Sequence, residues 1–459
     1  MNHRHTARES YQTYIWFREA AERGDAYAQF NLGLMYKKGE GIPRDDERAF
    51  VWMRLAALQG LAFAQNHLGA MFYNGRGVAQ DDTEAVSWFR RAAAQGDASA
   101  QQNLGQMYKR GRGVAQSDEL ALAWFYRASQ QGVASAQSLL GEAYAQGRGA
   151  QKNHALALAW FRKAALQGDA SAQLNLGLVY KRGQGVVQSD VQALAWFRQA
   201  AAQGDAVAQR QVGVAYAEGL GVARDQLRAY AWLSRAAEQN DIDAQFNLGI
   251  MLARGQGVDR DEHKAFAWYS RAAERGHMLA QYNLGGMYAN GRGVARDLPR
   301  ALLWYRRAAE QGAPNAQFNL GVIYANGHGV PQDDERALHW YRLAAEQGDA
   351  SAQNNLGVMY ANGQGVPQDD IQAVRWYRKA AEQGHALAQY NLGGMYNSGR
   401  GVDKDAVRSY MWISLAADGG DETASSNKNV IARKMTPAEI GSALDLTRQW
   451  RLSHRALNH

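Results

Sequence analysis

Eight asparagines stand in register, Asn31, Asn103, Asn175, Asn247, Asn283, Asn319, Asn355 and Asn391, each separated from the next by 36 residues or a multiple of 36. An amide side chain offers both donors and an acceptor, which is what an extended peptide backbone requires of a surface that binds it without reading its sequence. The ladder is therefore a candidate binding element; the alternative is that each amide bonds a neighbouring backbone and fixes helix spacing. One residue earlier runs a broken aromatic column of Phe30, Phe246, Tyr282, Phe318 and Tyr390, interrupted by Asn66, Gln102, Ser138, Leu174 and Arg210. Rings that alternate with Gln and Arg at one register are candidate partner anchors, or packing between successive helices. Basic pairs form a third group: Lys37-Lys38, Lys109-Arg110 and Lys181-Arg182 recur every 72 residues, and later units carry Asn290, Asn326 and Asn362 at the second position. A surface holding these pairs favours an acidic partner, unless they are only solvated charge left by duplication of a two-unit block.

Covalent and metal chemistry finds little purchase. The 459 residues include no cysteine, which excludes disulfides, thiolate metal sites and cysteine nucleophiles. The histidines, among them His67, His154, His263, His277, His328, His339 and His385, form no close pair at metal-ligand spacing. Gly-x-Gly recurs, but with no strand before it and no Gly-Lys-Ser/Thr after it, so it reads as helix termination rather than a phosphate loop. Acidic pairs such as Asp45-Asp46 and Asp369-Asp370 fall at helix starts, where the helix dipole favours negative charge. No catalytic residue, metal or cofactor is assigned. The net charge of +7 is mild for this length, and nucleic acid is not argued for by charge alone. No run reaches the ~18 apolar residues of a membrane span.

The elements that position these columns follow from one period. Twelve tryptophans, Trp16, Trp52 and so on to Trp412, are 36 residues apart, with only Trp450 outside the series. Within Asp349–Gly384, the stripe Ala352, Leu356, Met359, Tyr360 predicts an amphipathic first helix, and Ala373, Trp376, Tyr377, Ala380, Ala381 a second. Gly363 suits a left-handed C-cap between them. The second helix opens at a column of Asp, Ser or Asn from Asp45 to Asp405, all good N-caps. The stripe places the indoles, Trp196 for instance, in the core. Gly357 lies where a side chain would block close helix approach. Helix pairs that cannot bury their stripes alone stack into a solenoid. The reading divides the chain into an N-terminal capping helix (1–24), eleven tandem 36-residue repeats (25–420) and C-terminal capping helices (421–459). In the last of these, Thr436-Pro437-Ala438-Glu439 is a capping box opening a helix over 437–452, with Leu444 and Trp450 covering the stack.

The repeated pattern A-Q-x-N-L-G-x-M-Y-x-x-G-x-G-V-x-x-D-x-x-x-A-x-x-W-[FY]-x-x-A-A-x-x-G, nearly complete in residues 316–348 and 352–384, resembles the Sel1-like repeat family, relatives of the tetratricopeptide repeat. The resemblance covers about residues 11–420. Asn240 in place of the unit-end Gly, Val212 before Gly213 and Ala150 in place of the loop Val depart from it and put the unit 205–240 and its neighbours in question as regular copies, but not the fold. It implies an all-α, right-handed α–α superhelical solenoid. It further implies an adaptor that binds a protein or peptide partner in its concave groove, without enzymatic activity. In tetratricopeptide-type solenoids that groove is lined by the sector carrying the three columns above. Two other readings stand beside this one. An RNA-binding helical-repeat protein would need a continuous basic groove and variable polar positions, which the uniform asparagines do not supply. A cell-wall-associated enzyme of the family's β-lactam-binding type rests on analogy, and the disulfides of those relatives are absent here. With no signal peptide at its start, the sequence as shown is expected to be cytoplasmic; an already processed chain would be periplasmic or secreted.

Overall fold

A computed structural model describes residues 2–419 and 422–454, with side chains from Tyr11 onward. The described residues form twenty-five helices. Helix α1 (Asn2–Glu22) precedes a first pair, α2 (Ala26–Lys38) and α3 (Asp46–Leu58). Pairs then repeat every 36 residues up to α22 (Ala386–Ser398) and α23 (Ala406–Asp418), each helix 13 residues long, with α24 (Glu422–Ala432) and α25 (Pro437–His454) after them. The chain is an all-helical solenoid of paired repeats. It divides into two compact units, Met1–Ala236 and Ala237–His459.

Local sequence explains the regularity. In all eleven second helices the N-cap side chain from Asp45 to Asp405 accepts from a backbone N–H in the first turn. First helices end on a left-handed glycine such as Gly363, φ 68°. Asn240, which replaces the unit-end glycine, takes the same left-handed conformation at φ 66°. Asn tolerates that region better than other non-glycine residues, so α12 (Ala206–Glu218) and α13 (Gln226–Glu238) keep the regular length.

The core of each pair differs from the sequence expectation in one respect. The side chain that enters it is the residue after the tryptophan, an aromatic ring in eight of the eleven pairs and Met53, Leu233 or Ile413 in the others. Phe89, Phe125, Phe161 and Phe197 in the first unit, and Tyr269, Tyr305, Tyr341 and Tyr377 in the second, are 2–6% exposed. Each lies flat against the mid-helix glycine of its own pair: a Cβ on Gly177 would meet Phe197 Cδ1 at 2.5 Å, and one on Gly357 would meet Tyr377 Cδ1 at 2.6 Å. The indoles sit farther out. Trp88, Trp376 and Trp412 are buried, Trp124, Trp160 and Trp196 only half so, and Trp16 is 63% exposed. The apolar stripe is wide enough for two neighbouring aromatics, and the one nearer the first helix takes the core.

A second feature of the core is polar. Glutamines from Gln29 to Gln389, the Q of the A-Q dipeptide, are buried in every pair. Gln353 Nε2 donates to the Ala345 carbonyl at 3.0 Å, and its Oε1 accepts from Gln383 Nε2 at 2.8 Å. The same two bonds recur at Gln29, Gln65, Gln101, Gln137, Gln173, Gln281 and Gln317. Satisfying a buried amide fixes the register of one pair on the next, since a one-turn slip would strand both partners.

At the C-terminal end the capping box forms: Thr436 donates from backbone and hydroxyl to Glu439 Oε2, at 2.7 and 2.9 Å. Trp450 packs against Trp412, ring centroids 6.2 Å apart. Leu444 does not join it and remains 48% exposed; Leu446 takes its place in that cluster. No helix among the described residues is long and apolar enough to cross a membrane.

Candidate functional site

The asparagines on the first helices occupy half-buried positions. In the second unit they meet hydroxyls. Asn283, Asn319 and Asn355 set their amides beside Tyr269, Tyr305 and Tyr341, the core tyrosines of the preceding pair. Burial pushes the Tyr269 and Tyr305 hydroxyls up to about 12 and raises Tyr341 too, with the amide donors acting in the opposite direction. These phenols are neutral hydrogen-bonding groups at any physiological pH. Asn391 donates to Asn354 of the preceding pair at 3.0 Å, as Asn103 does to Asn66 at 2.9 Å. Asn31 turns back to the Tyr27 carbonyl of its own helix. Asn247, also half-buried, opens the column in the second unit.

The aromatic column is half-buried throughout. Phe30 packs on Phe63 and His67, Phe246 stacks on His277 at 4.4 Å, and Tyr282 and Phe318 tilt against Tyr305 and Tyr341 at 5.8 Å. Tyr390 receives a hydrogen bond from Asn427 of α24 at 2.6 Å. Each ring thus packs between neighbouring helices and still shows an edge to solvent.

Asparagines of the column line three recurring clefts in the second unit with the core tyrosines, and rings of the aromatic column join them in two of the three. The first, about 410 Å³, lies over α14 (Ile242–Arg254), α15 (Glu262–Glu274) and α16 (Met278–Asn290), lined by Phe246, Ile250, Tyr269, Asn283 and Arg292. A second, about 460 Å³, holds Tyr305, Asn319 and His328 in the places of Tyr269, Asn283 and Arg292, with Val322 beside them. A third, about 420 Å³, holds Tyr377, Tyr390, Asn391 and Arg400. Each combines apolar walls, a buried phenol and an amide. Arg400, in the loop, is held bidentately by Asp370 at 2.7 and 3.0 Å, which draws that carboxyl below its usual range.

In the first unit the basic pairs divide. Their leading members turn toward the next pair: Lys37 approaches His67 at 3.4 Å, Lys109 pairs with Glu142 at 3.3 Å, and Lys181 donates to Gln211 at 3.0 Å. Lys38, Arg110 and Arg182 are exposed, with Lys38 near Glu40 and Arg110 donating to the Tyr73 hydroxyl at 2.9 Å. Burial, then Lys37 and Lys38, hold His67 down at about 4.

Two contributions to this surface were not assigned from sequence: the core tyrosines and the glutamine ladder. The first had a visible signal, since the residue after the tryptophan is Phe at 89, 125, 161 and 197 but Tyr at 269, 305, 341 and 377. His277 and His385 are half-buried and cap α16 and α22 through Nδ1. Among the described residues no group of three or more His, Asp or Glu is placed to hold a metal ion.

The Sel1 repeat model matches residues 11–25 and then eleven consecutive stretches from 26–61 to 386–421. A solved structure of c5321, a protective antigen of uropathogenic Escherichia coli with an SLR fold, is 38% identical. It covers 95% of this chain and 94% of its own, with a TM-score of 0.84. A Sel1 repeat protein from Oxalobacter formigenes is 36% identical over 67% of this chain and 89% of its own, with a TM-score of 0.53. No curated protein matches the chain. With its period, buried glutamines and glycine–aromatic contacts repeated from pair to pair, the chain belongs to the Sel1 repeat family.

Proposed function

We propose that this protein is a non-enzymatic scaffold that binds a partner polypeptide along the face of its first helices. Sel1-repeat solenoids commonly serve protein interactions and are typically non-catalytic. The observation that carries the reading is the recurrence of one cleft in the second unit, each copy pairing a phenol and an amide with apolar walls. A surface of that kind suits an extended chain: the polar pair meets backbone groups and the walls take side chains. Asn247, Asn283, Asn319, Asn355 and Asn391 are its hydrogen-bonding set, and Phe246, Tyr282, Phe318 and Tyr390 its anchors. In the first unit, Lys38, Arg110 and Arg182 on the rim, with Lys37, Lys109 and Lys181 behind them, give a preference for acidic segments.

Affinity capture with the full chain and with the Asn283→Ala/Asn319→Ala/Asn355→Ala variant tests this. The variant should keep its helicity and lose the captured polypeptides. Equal recovery of the same partners would assign the asparagines to structure alone. Titration with single-stranded RNA serves as a second arm, because binding that weakens steeply with salt would replace the reading with a nucleic-acid one.

A further inference from the structure

Helix α3 carries an exposed apolar stripe that the other second helices lack. Val51, Leu55 and Leu58 fall at i, i+4 and i+7 and are 53, 39 and 59% exposed. In most other pairs the position of Leu55 holds a cation that lies over the neighbouring tryptophan, as Arg91 over Trp88 and Arg127 over Trp124, both at 4.5 Å. Beside α3, and joined to it through the cluster of Trp52 with Phe17 and Ala20, α1 presents Tyr11, Ile15 and Trp16, with Trp16 the most exposed of the three. Six large apolar side chains on two adjacent helices exceed the scattered exposure usual on a soluble surface.

The other end of the chain shows what such a stripe requires. Met411 and Leu415 occupy the same repeat positions as Val51 and Leu55, and both are buried beneath α25 by Leu446 and Trp450. At that end of the chain the apolar pair at this register is covered by a helix. Charge identifies the helix that fits α3. Arg54 borders the stripe, and its counterparts Arg90, Arg162, Arg198, Arg342 and Arg378 each donate to a tyrosine hydroxyl 18 residues on. For Arg54 that position is Phe72, which offers no acceptor. Arg54 makes no ion pair among the described residues, and neither does Glu19, which follows Trp16 on the exposed face of α1.

We infer that this face is a two-fold interface between copies of this chain, with α1 of each copy lying on α3 of the other. One contact then covers both stripes and brings Glu19 of one copy to Arg54 of the second, twice over, as an isologous interface demands. Trp16 is its central anchor.

Sedimentation velocity on the full chain across a concentration series tests the inference. The wild type should pass from monomer to dimer as concentration rises. Leu55→Arg, which installs the side chain normal at this column and so leaves folding undisturbed, should weaken the dimer by about tenfold or more. Glu19→Arg and Arg54→Glu should each be monomeric alone, through like charges in both contacts, and should dimerise when mixed. A wild-type chain that stays monomeric throughout, a dimer indifferent to Leu55→Arg, or single variants that fail to recover on mixing would each overturn it.

Discussion

At Gly177 a single added methyl would collide with Phe197, so the closeness of each pair depends on one missing Cβ. Gly177→Ala should cost about 1–3 kcal/mol by forcing the two helices apart. Phe197→Ala should cost about 3–5 kcal/mol, since that ring is 3% exposed. Trp196→Ala should cost less than half as much as Phe197→Ala, because its indole is half-buried; urea melts of the three variants check the order. A second prediction concerns the glutamine ladder. At Gln245 the residue 30 positions on is Arg275, whose guanidinium bonds the Asn240 carbonyl and leaves Gln245 Oε1 buried without a partner. Arg275→Gln restores the donor found elsewhere and should stabilise the second unit by about 1 kcal/mol, read as a raised denaturation midpoint. A third is set by His67. The unfolded chain takes up that proton at the ordinary histidine pKa, whereas the native protein resists it until about 4. Stability should therefore be level above about pH 6.5 and fall between there and about pH 4. His67→Gln should remove part of that fall, and equal acid sensitivity in both proteins would contradict the assignment.

Among the elements, helix boundaries were the most legible feature of the sequence. Caps are decided by one side chain and its own backbone. The Asp, Ser or Asn column therefore marked the start of every second helix, and the loop glycines marked the ends of the first helices. Asp369→Ala should accordingly cost about 1 kcal/mol, because it deletes the acceptor for the Gln372 N–H at 2.9 Å; a thermal melt within error of wild type would show that the cap is redundant. The order of the two aromatics was less legible. Trp376 and Tyr377 both lie on the apolar stripe, and periodicity cannot say which is nearer the axis of the pair. That is decided by Gly357, which admits a ring only at the Tyr377 position. The clefts were partly legible. The asparagine column was evident, but the phenols beside Asn283, Asn319 and Asn355 lie 14 residues earlier on a different helix, and nothing local couples the two. Leu444 was misplaced for a related reason: on α25 the side facing α23 is fixed by where α25 docks, and Leu446 and Trp450 face inward instead.

For the molecule as a whole, each pair touches mainly the pairs before and after it, so stability is a sum of local terms and a perturbation should remain local. The C-terminal helices offer a direct test. Met411, Trp412 and Leu415 are covered by α25, and Tyr410 and Ile413 share a cluster with Ala424, Ile431 and Ala443 from α24 and α25. Truncation after residue 419 would uncover Tyr410, Met411, Trp412 and Leu415, with Ile413 still seated against Gly393, while leaving every other pair intact. Amide hydrogen exchange should then accelerate in α22 and α23, diminish in effect over the next pair or two, and be unchanged in the helices of the first unit. A uniform loss of protection along the chain would mean that the repeats fold as one cooperative block, in which case the glutamine ladder transmits more than nearest-neighbour register. The size of the gradient would measure how far a bound partner's stabilisation can travel. A segment lying across the second-unit clefts would tighten those pairs directly and reach more distant ones only through the same buried amides.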